Sequence, residues 1–302
     1  MKLPDPVALA IPAFIVLMIA ELALGYFRLR SVRYELKDTA ASLIMGVGNL
    51  ATGIPFVVLI YGMIRALYEI RLFDIGFQWW AFVAILFAQD FCYYWFHRLS
   101  HEHRFWWAAH INHHSSQHYN LSTALRQTWT GNIAGTFIVY APLPLLGFPP
   151  ALIAFSMGIS LVYQFWIHTE AIGRLPAPIE WIFNTPSHHR VHHATNPRYL
   201  DRNYAGILII WDRMFGTFVP EDDKEPCRYG IVRQIATFNP IRIAFHEWVD
   251  MFRDARAAGN WRDALGYLWH APGWRPDGNG RTSAVIRDEW HAMATRTPGA
   301  GT

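Results

Sequence analysis

Cysteine and charge are both scarce in this chain. Cys92 and Cys227 are the only thiols in 302 residues, they lie far apart, and Cys92 sits inside an apolar run. That excludes a disulfide framework and a CxxC metal site, and makes a reducing compartment the simpler setting. Charged residues make up 16% of the chain, against roughly 25% in soluble globular domains. The net charge of +3 comes without a long Lys/Arg block, which argues against nucleic acid as a main partner. There is no phosphate-cradling glycine loop and no dinucleotide fingerprint. Electrons for any redox chemistry therefore come from a diffusible reductant or a separate electron-donor protein.

What the chain does have is apolar length. Hydrophobic residues reach 52%, with 14 Trp, 13 Tyr and 20 Phe, which points to lipid, because aromatic rings are favoured where helix ends meet headgroups. The first apolar run, 6–26, has the ~20 residues that a helix needs to cross a bilayer. Arg28, Arg30, Arg33 and Lys37 follow it instead of a small-residue cleavage site, so it reads as an anchor and not a signal peptide. The basic stretch then lies in the cytoplasm and the N-terminus outside. Further apolar helices are expected at 41–64, 79–96, 130–147 and 149–167, the last two as a hairpin turning at Pro142, Pro144, Gly147, Pro149 and Pro150.

The expected fold is thus an all-α integral membrane protein, a single membrane-embedded domain over 1–302. It is a bundle of four to five transmembrane helices with a cytoplasmic helical cap carrying a histidine-rich dimetal site. On this count the polar segments 97–130 and 168–302 share the cytoplasmic side with every histidine. Within the C-terminal segment 222–302, residues 240–259 read as an amphipathic helix with Phe245, Trp248, Val249 and Phe252. The Gly/Pro/Arg-rich tail beyond Pro272 reads as loose.

The 15 histidines are clustered. His97 and His101 form HxxxH, His110, His113 and His114 form HxxHH, and His188, His189, His192 and His193 form HHxxHH, with His168 alone between the last two groups. On a helix, positions i, i+3 and i+4 share a face, with Cβ atoms about 5–6 Å apart, so each cluster can offer several imidazoles to one point. Imidazole suits iron, zinc, copper and nickel. Haem would need only single histidines on separate helices, and ferritin-like di-iron sites use Glu-x-x-His patterns that are missing here. Eight or nine imidazoles fill two coordination spheres, whereas one zinc needs three or four. Asp90, Glu102, Glu170, Asp201 and Asp212 are placed to orient imidazoles through their second N–H. His103, His118, His246, His270 and His291 are left without a role.

These boxes and the text around them, YYWFHRLSHE (93–102), HINHHSSQHYNLSTALRQ (110–127), YQFWIHTE (163–170) and NTPSHHRVHHATNPRYLDRNYAGILIIWDRMFGTF (184–218), resemble the fatty acid hydroxylase/sterol desaturase superfamily of membrane di-iron enzymes. Within it they are most similar to its alkylglycerol monooxygenase-like members. The likeness covers 93–218. It implies an O2-dependent, tetrahydropterin-dependent monooxygenase with two iron ions, acting on the ether-linked carbon of a lipid. The ligands it implies are His97, His101, His110, His113, His114, His168, His189, His192 and His193. His188 competes with His189 as first member of the third box, and the spacing favours His189. Glu102 falls where such enzymes carry a glutamate thought to serve the pterin. The chain is shorter than its eukaryotic relatives and shows no further apolar helices after Phe218, so its substrate cavity is expected to be closed differently. Two other readings stand beside this one. One is a fatty acyl, sterol or headgroup lipid hydroxylase or desaturase of the same superfamily. The other is a non-catalytic zinc-binding or transport protein, which would more usually carry its polar groups inside the membrane along a path.

Reporter fusions after Lys37 and after Phe218 are expected to give the same cytoplasmic signal. Opposite signals would rule out the five-crossing topology.

Overall fold

A computed structural model describes residues 3–29 and 32–296, so Arg30 of the basic run and the last six residues of the C-terminal segment lie outside the described residues. Helix α1 (Pro6–Phe27) starts where Asp5 accepts hydrogen bonds from the Val7 and Ala8 amides, filling donors that a helix start leaves open. Helix α2 (Leu36–Glu69) is capped by Glu35 and runs through Pro55 for 34 residues, on the order of 50 Å at 1.5 Å per residue. Both are long and apolar enough to cross a membrane, and both leave residues such as Val16, Ile19, Val47, Leu50 and Val58 uncovered by protein. The one buried residue of α1 is Glu21, which accepts from the Tyr34 hydroxyl at 2.5 Å, the Leu121 amide at 2.8 Å and the Thr169 hydroxyl. That carboxylate ties the first helix to the loops that carry the histidines.

Helix α3 (Trp79–Glu102) continues without a break from the expected apolar run through His97 and His101, and α4 (Arg104–His114) follows after one residue. The expected helix at 130–147 does not form. Its place is taken by turns, a 3-10 segment (Thr136–Tyr140) and the five-residue α5 (Pro142–Leu146). Gly135 and Gly147 adopt left-handed φ values of 70° and 106°, and Pro142 and Pro144 lack the N–H that a continuous helix would need. At Gly147 a Cβ would stand 1.9 Å from the Phe73 carbonyl oxygen, so only glycine permits that approach. Among the described residues, two helices and not five meet the length and composition of a full crossing; α6 (Pro150–Trp166) is shorter, at 17 residues.

The remainder is a cap of short helices: α7 (Ala177–Ile182), α8 (Pro186–His192), α9 (Ile210–Met214), α10 (Pro240–Ala257), α11 (Trp261–Trp269) and α12 (Ser283–Arg296). No strand occurs among the described residues beyond an isolated bridge between Ala194 and Tyr229. The amphipathic helix α10 forms as expected. The tail is more ordered than its composition suggests: α12 packs on the 3-10 turn Pro197–Tyr199, and Arg287 donates to the Leu200 carbonyl at 2.8 Å.

The apolar helix α2 and the cap meet at a buried ion pair. Arg126 and Asp38 approach at 2.5 Å with almost no exposure on either side. Arg126 also donates to Ser42, Ser115 and the Asp38 carbonyl, while Ser116 donates to the second Asp38 oxygen. Removing one member of such a pair leaves a lone buried charge, at about 3–5 kcal/mol. Asp38→Ala is therefore expected to lower the thermal unfolding midpoint in detergent sharply, and an Asp38→Leu/Arg126→Met double substitution to recover most of the loss. Equal damage in both would show that the charges themselves are not what the fold requires.

Candidate metal centre

Nine imidazoles converge in two groups. His97, His101, His110, His114 and His192 form one, and His113, His168, His189 and His193 the other; within each, the ligand atoms lie within 4.8 Å of one another. Helical spacing explains the division. On α4, His110 and His114 are i and i+4 and face the first group, while His113 is turned to the second. The segment around α8 does the reverse, with His189 and His193 facing the second group and His192 the first. The groups touch where the His114 and His193 rings stack with centroids 4.3 Å apart.

The outer nitrogens fix the direction of the inner ones. His97 Nδ1 lies 2.8 Å from the Tyr204 carbonyl, His192 Nδ1 2.9 Å from that of Arg202, His113 Nδ1 3.2 Å from that of Arg126, and His168 Nδ1 2.7 Å from that of Gln164. His101 Nδ1 lies 3.3 Å from Asp201 Oδ1. A carbonyl or carboxylate only accepts, so these Nδ1 atoms carry the proton and each Nε2 is left with a lone pair. His113 Nε2 and His168 Nε2 then face each other at 3.2 Å with no proton between them. In the first group, His101 Nε2 and His192 Nε2 are buried and have no hydrogen-bond partner. Converging lone pairs repel, and a cation among them turns that repulsion into bonding, so the donor set fits two metal ions.

Burial also keeps these rings neutral. It pushes the His113 pKa down to about 4 and carries those of His97, His110, His114, His168, His189, His192 and His193 well below the usual value, helped in most of them by the neighbouring imidazoles. At neutral pH, then, none of these eight has to lose a proton before a metal binds. Burial works against the Asp201 carboxylate, but hydrogen bonds from His101 and Ser283, with the Arg287 charge, hold its pKa below the ordinary range.

The remaining candidates take other places. His188 turns away, its Nε2 2.7 Å from Glu180 Oε2, which leaves His189 as the member that joins a group. Asp90 accepts from the Ile207 and Leu208 amides and the Trp211 indole, and Asp212 from the Tyr204 and Ala205 amides and the Thr217 hydroxyl. They hold the loop whose carbonyls orient His97 and His192, without touching a ring of either group. Glu170 accepts from the Tyr229 hydroxyl. Glu102 accepts from Arg98 at 2.9 Å and lies in neither group. His103, His118, His246, His270 and His291 also join neither.

Sequence reasoning did not find the carbonyls of Arg126, Gln164, Arg202 and Tyr204, since a backbone acceptor leaves no mark in residue type. One signal was available: Asp201 and Asn203 have φ values of 52° and 56°, and Asp and Asn are the residues that tolerate this region. A cavity of about 960 Å³ reaches His101, His114, His192 and His193. A smaller one of about 280 Å³ is lined by Glu102, Arg98, Asp201, Arg202 and Arg287.

Residues 82–217 match the fatty acid hydroxylase family, and that span holds both histidine groups. Over 91% of its length the chain is similar to alkylglycerol monooxygenase: 40% identical over 277 residues to the protein of Homo sapiens and 41% over 281 residues to that of Danio rerio. It spans about 61% of the length of those relatives. An ornithine lipid hydroxylase of Rhizobium tropici is 30% identical over 147 residues, 49% of this chain and 44% of that protein. No solved structure matches. The apolar helices and these relatives together indicate membrane association.

Metal analysis of the purified protein is expected to give two ions per chain. His113→Ala and His192→Ala, one in each group, are each expected to lose at least one ion while remaining membrane-inserted. A folded protein that holds one ion or none with full activity would contradict this. Zinc in the sample would not, because imidazole sites accept whichever divalent metal is at hand.

Proposed function

We propose that this chain is a membrane di-iron monooxygenase that hydroxylates a lipid C–H bond with O2, with the ether-linked carbon of an alkylglycerol as its target. The observation that carries the reading is the pair of all-imidazole groups inside a domain similar, over most of the chain, to alkylglycerol monooxygenase. The nine histidines are assigned as ligands, five to one ion and four to the other. The two irons supply, when bound, the activation of O2 that no side chain can perform. The N-terminus is assigned to the outside and the histidines to the cytoplasmic end of the helices.

The chain's own residues position and protect. The 960 Å³ cavity gives a lipid a place beside His101, His114, His192 and His193, and holding the reacting carbon there supplies an orientation advantage that can reach about 7–11 kcal/mol. Hydroxylation consumes O2, two electrons and two protons, and releases water. The hemiacetal so formed collapses to a fatty aldehyde and glycerol. The electrons are assigned to a tetrahydropterin, and its site to the smaller cavity, where Glu102 can accept hydrogen bonds from ring N–H groups and Asp201 links the site to His101.

Aerobic incubation of iron-loaded protein with alkylglycerol and tetrahydropterin is expected to yield aldehyde, detected by mass spectrometry. A hydroxylated lipid without aldehyde would favour an acyl or headgroup hydroxylase instead. Glu102→Gln is expected to keep both metals and lose at least ten-fold in pterin-dependent turnover, about 1.4 kcal/mol. Full turnover in that variant would remove Glu102 from the pterin site.

A further inference from the structure

The outer surface of α10 is unlike that of an ordinary cap helix. Ile241, Phe245, Val249 and Phe252 form one stripe and are 40–63% exposed. The helix is not loose. Its other side is fastened to α4 by Arg104, which pairs with Glu247 at 2.7 Å and Asp254 at 2.8 Å, and Trp248 donates to Thr130. Ile243 and Ala244 pack on Ala41 and Met45 in the first turns of α2, so α10 lies beside the end of a membrane helix whose own neighbouring residues Leu43, Ile44 and Val47 are uncovered. Its partner α11 leaves Trp261, Leu265 and Trp269 exposed at i, i+4 and i+8, with tryptophan at both ends, the residue favoured at the headgroup level. Arg233 and Arg242 are exposed and have no ion-pair partner among the described residues, which suits lipid phosphates.

The same stripe borders the large cavity. Ile241, Phe245 and Val249 line one edge of it, beside Arg242, Asp250 and Arg253 of the same helix; Trp107 and Ile111 line it further in, and His101, His114, His192 and His193 close its inner end. We infer that α10 lies in the headgroup and acyl boundary of the bilayer and forms the lip over which a lipid passes sideways from the membrane into this cavity, its alkyl chain never crossing water. The inference rests on the reading of the cavity as the substrate chamber, and it names how the chamber is reached.

The test is photolabelling of the full-length, metal-loaded protein in phosphatidylcholine vesicles containing an alkylglycerol with a diazirine in its chain, with the adducts located by peptide mass spectrometry. Adducts are expected on Ile241, Phe245 or Val249 at the lip, on Trp107 or Ile111 inside, and on α1. Ile241→Asp and Val249→Asp are expected to cut the interior adducts on the order of ten-fold, because a carboxylate at the lip opposes passage of an apolar chain, while labelling of α1 and metal content stay unchanged. Both positions are exposed, and Val249→Ser serves if the charged variants fold poorly, with a smaller reduction expected. Label confined to α1 and α2, or interior labelling that ignores these substitutions in folded protein, would overturn the inference. No turnover is needed for the readout, so interior labelling without aldehyde formation would fail the oxygenase reading and leave the access route standing.

Discussion

Neutral imidazoles crowded together have no reason to stay together. Nine imidazoles occupy the centre of this protein, and in five the ring is held from behind by an acceptor oxygen on its outer nitrogen. Everything else in the cap serves that constraint. The acceptors come from the backbone at positions 126, 164, 202 and 204 and from the Asp201 carboxylate, and each needs its own support. Asp90 and Asp212 spend their oxygens on the amides of 204, 205, 207 and 208, so two carboxylates with no direct contact with the rings decide where the rings point.

The second support reaches into the two long apolar helices. Arg126 is anchored on Asp38 and Ser42 of α2, and its own carbonyl faces His113. Glu21 of α1 holds the Leu121 amide and the Thr169 hydroxyl, the latter next to His168. The buried charges thus sit where the two long apolar helices must be registered against a polar centre, and hydrogen bonds from several directions offset the desolvation of each. The helices are more than an anchor, because they set the height of the ring-bearing loops.

Much of the centre could be read from spacing. The i, i+3, i+4 pattern of His110, His113 and His114 and its counterpart at His189, His192 and His193 indicate that these rings converge, and the structure brings together all nine histidines that the pattern and the resemblance named. The division of each triplet between two groups needs the rings of α4 to meet those around α8, which no local pattern contains. The apolar runs at 6–26, 41–64 and 149–167 became helices, as their apolar length leads one to expect. The run at 130–147 did not, because its apolar content hid the prolines and left-handed glycines that break it. The tail beyond Pro272 looked loose by composition, yet Arg287 and the turn at 197–199 give α12 a place to dock. Tertiary partners of that kind are invisible to a one-dimensional reading.

The shared use of α4 and α8 by both groups acts as a ruler. α4 sends two rings one way and the third the other, and α8 with the His193 that caps it does the reverse, so the separation of the two groups along each is set by the pitch of a single turn and not by how tightly neighbouring elements pack. Two rigid rods enforce the same interval independently. Breathing of the cap can open or narrow the cavity without changing the distance between the centres, and neither centre can be altered by evolution without disturbing the other.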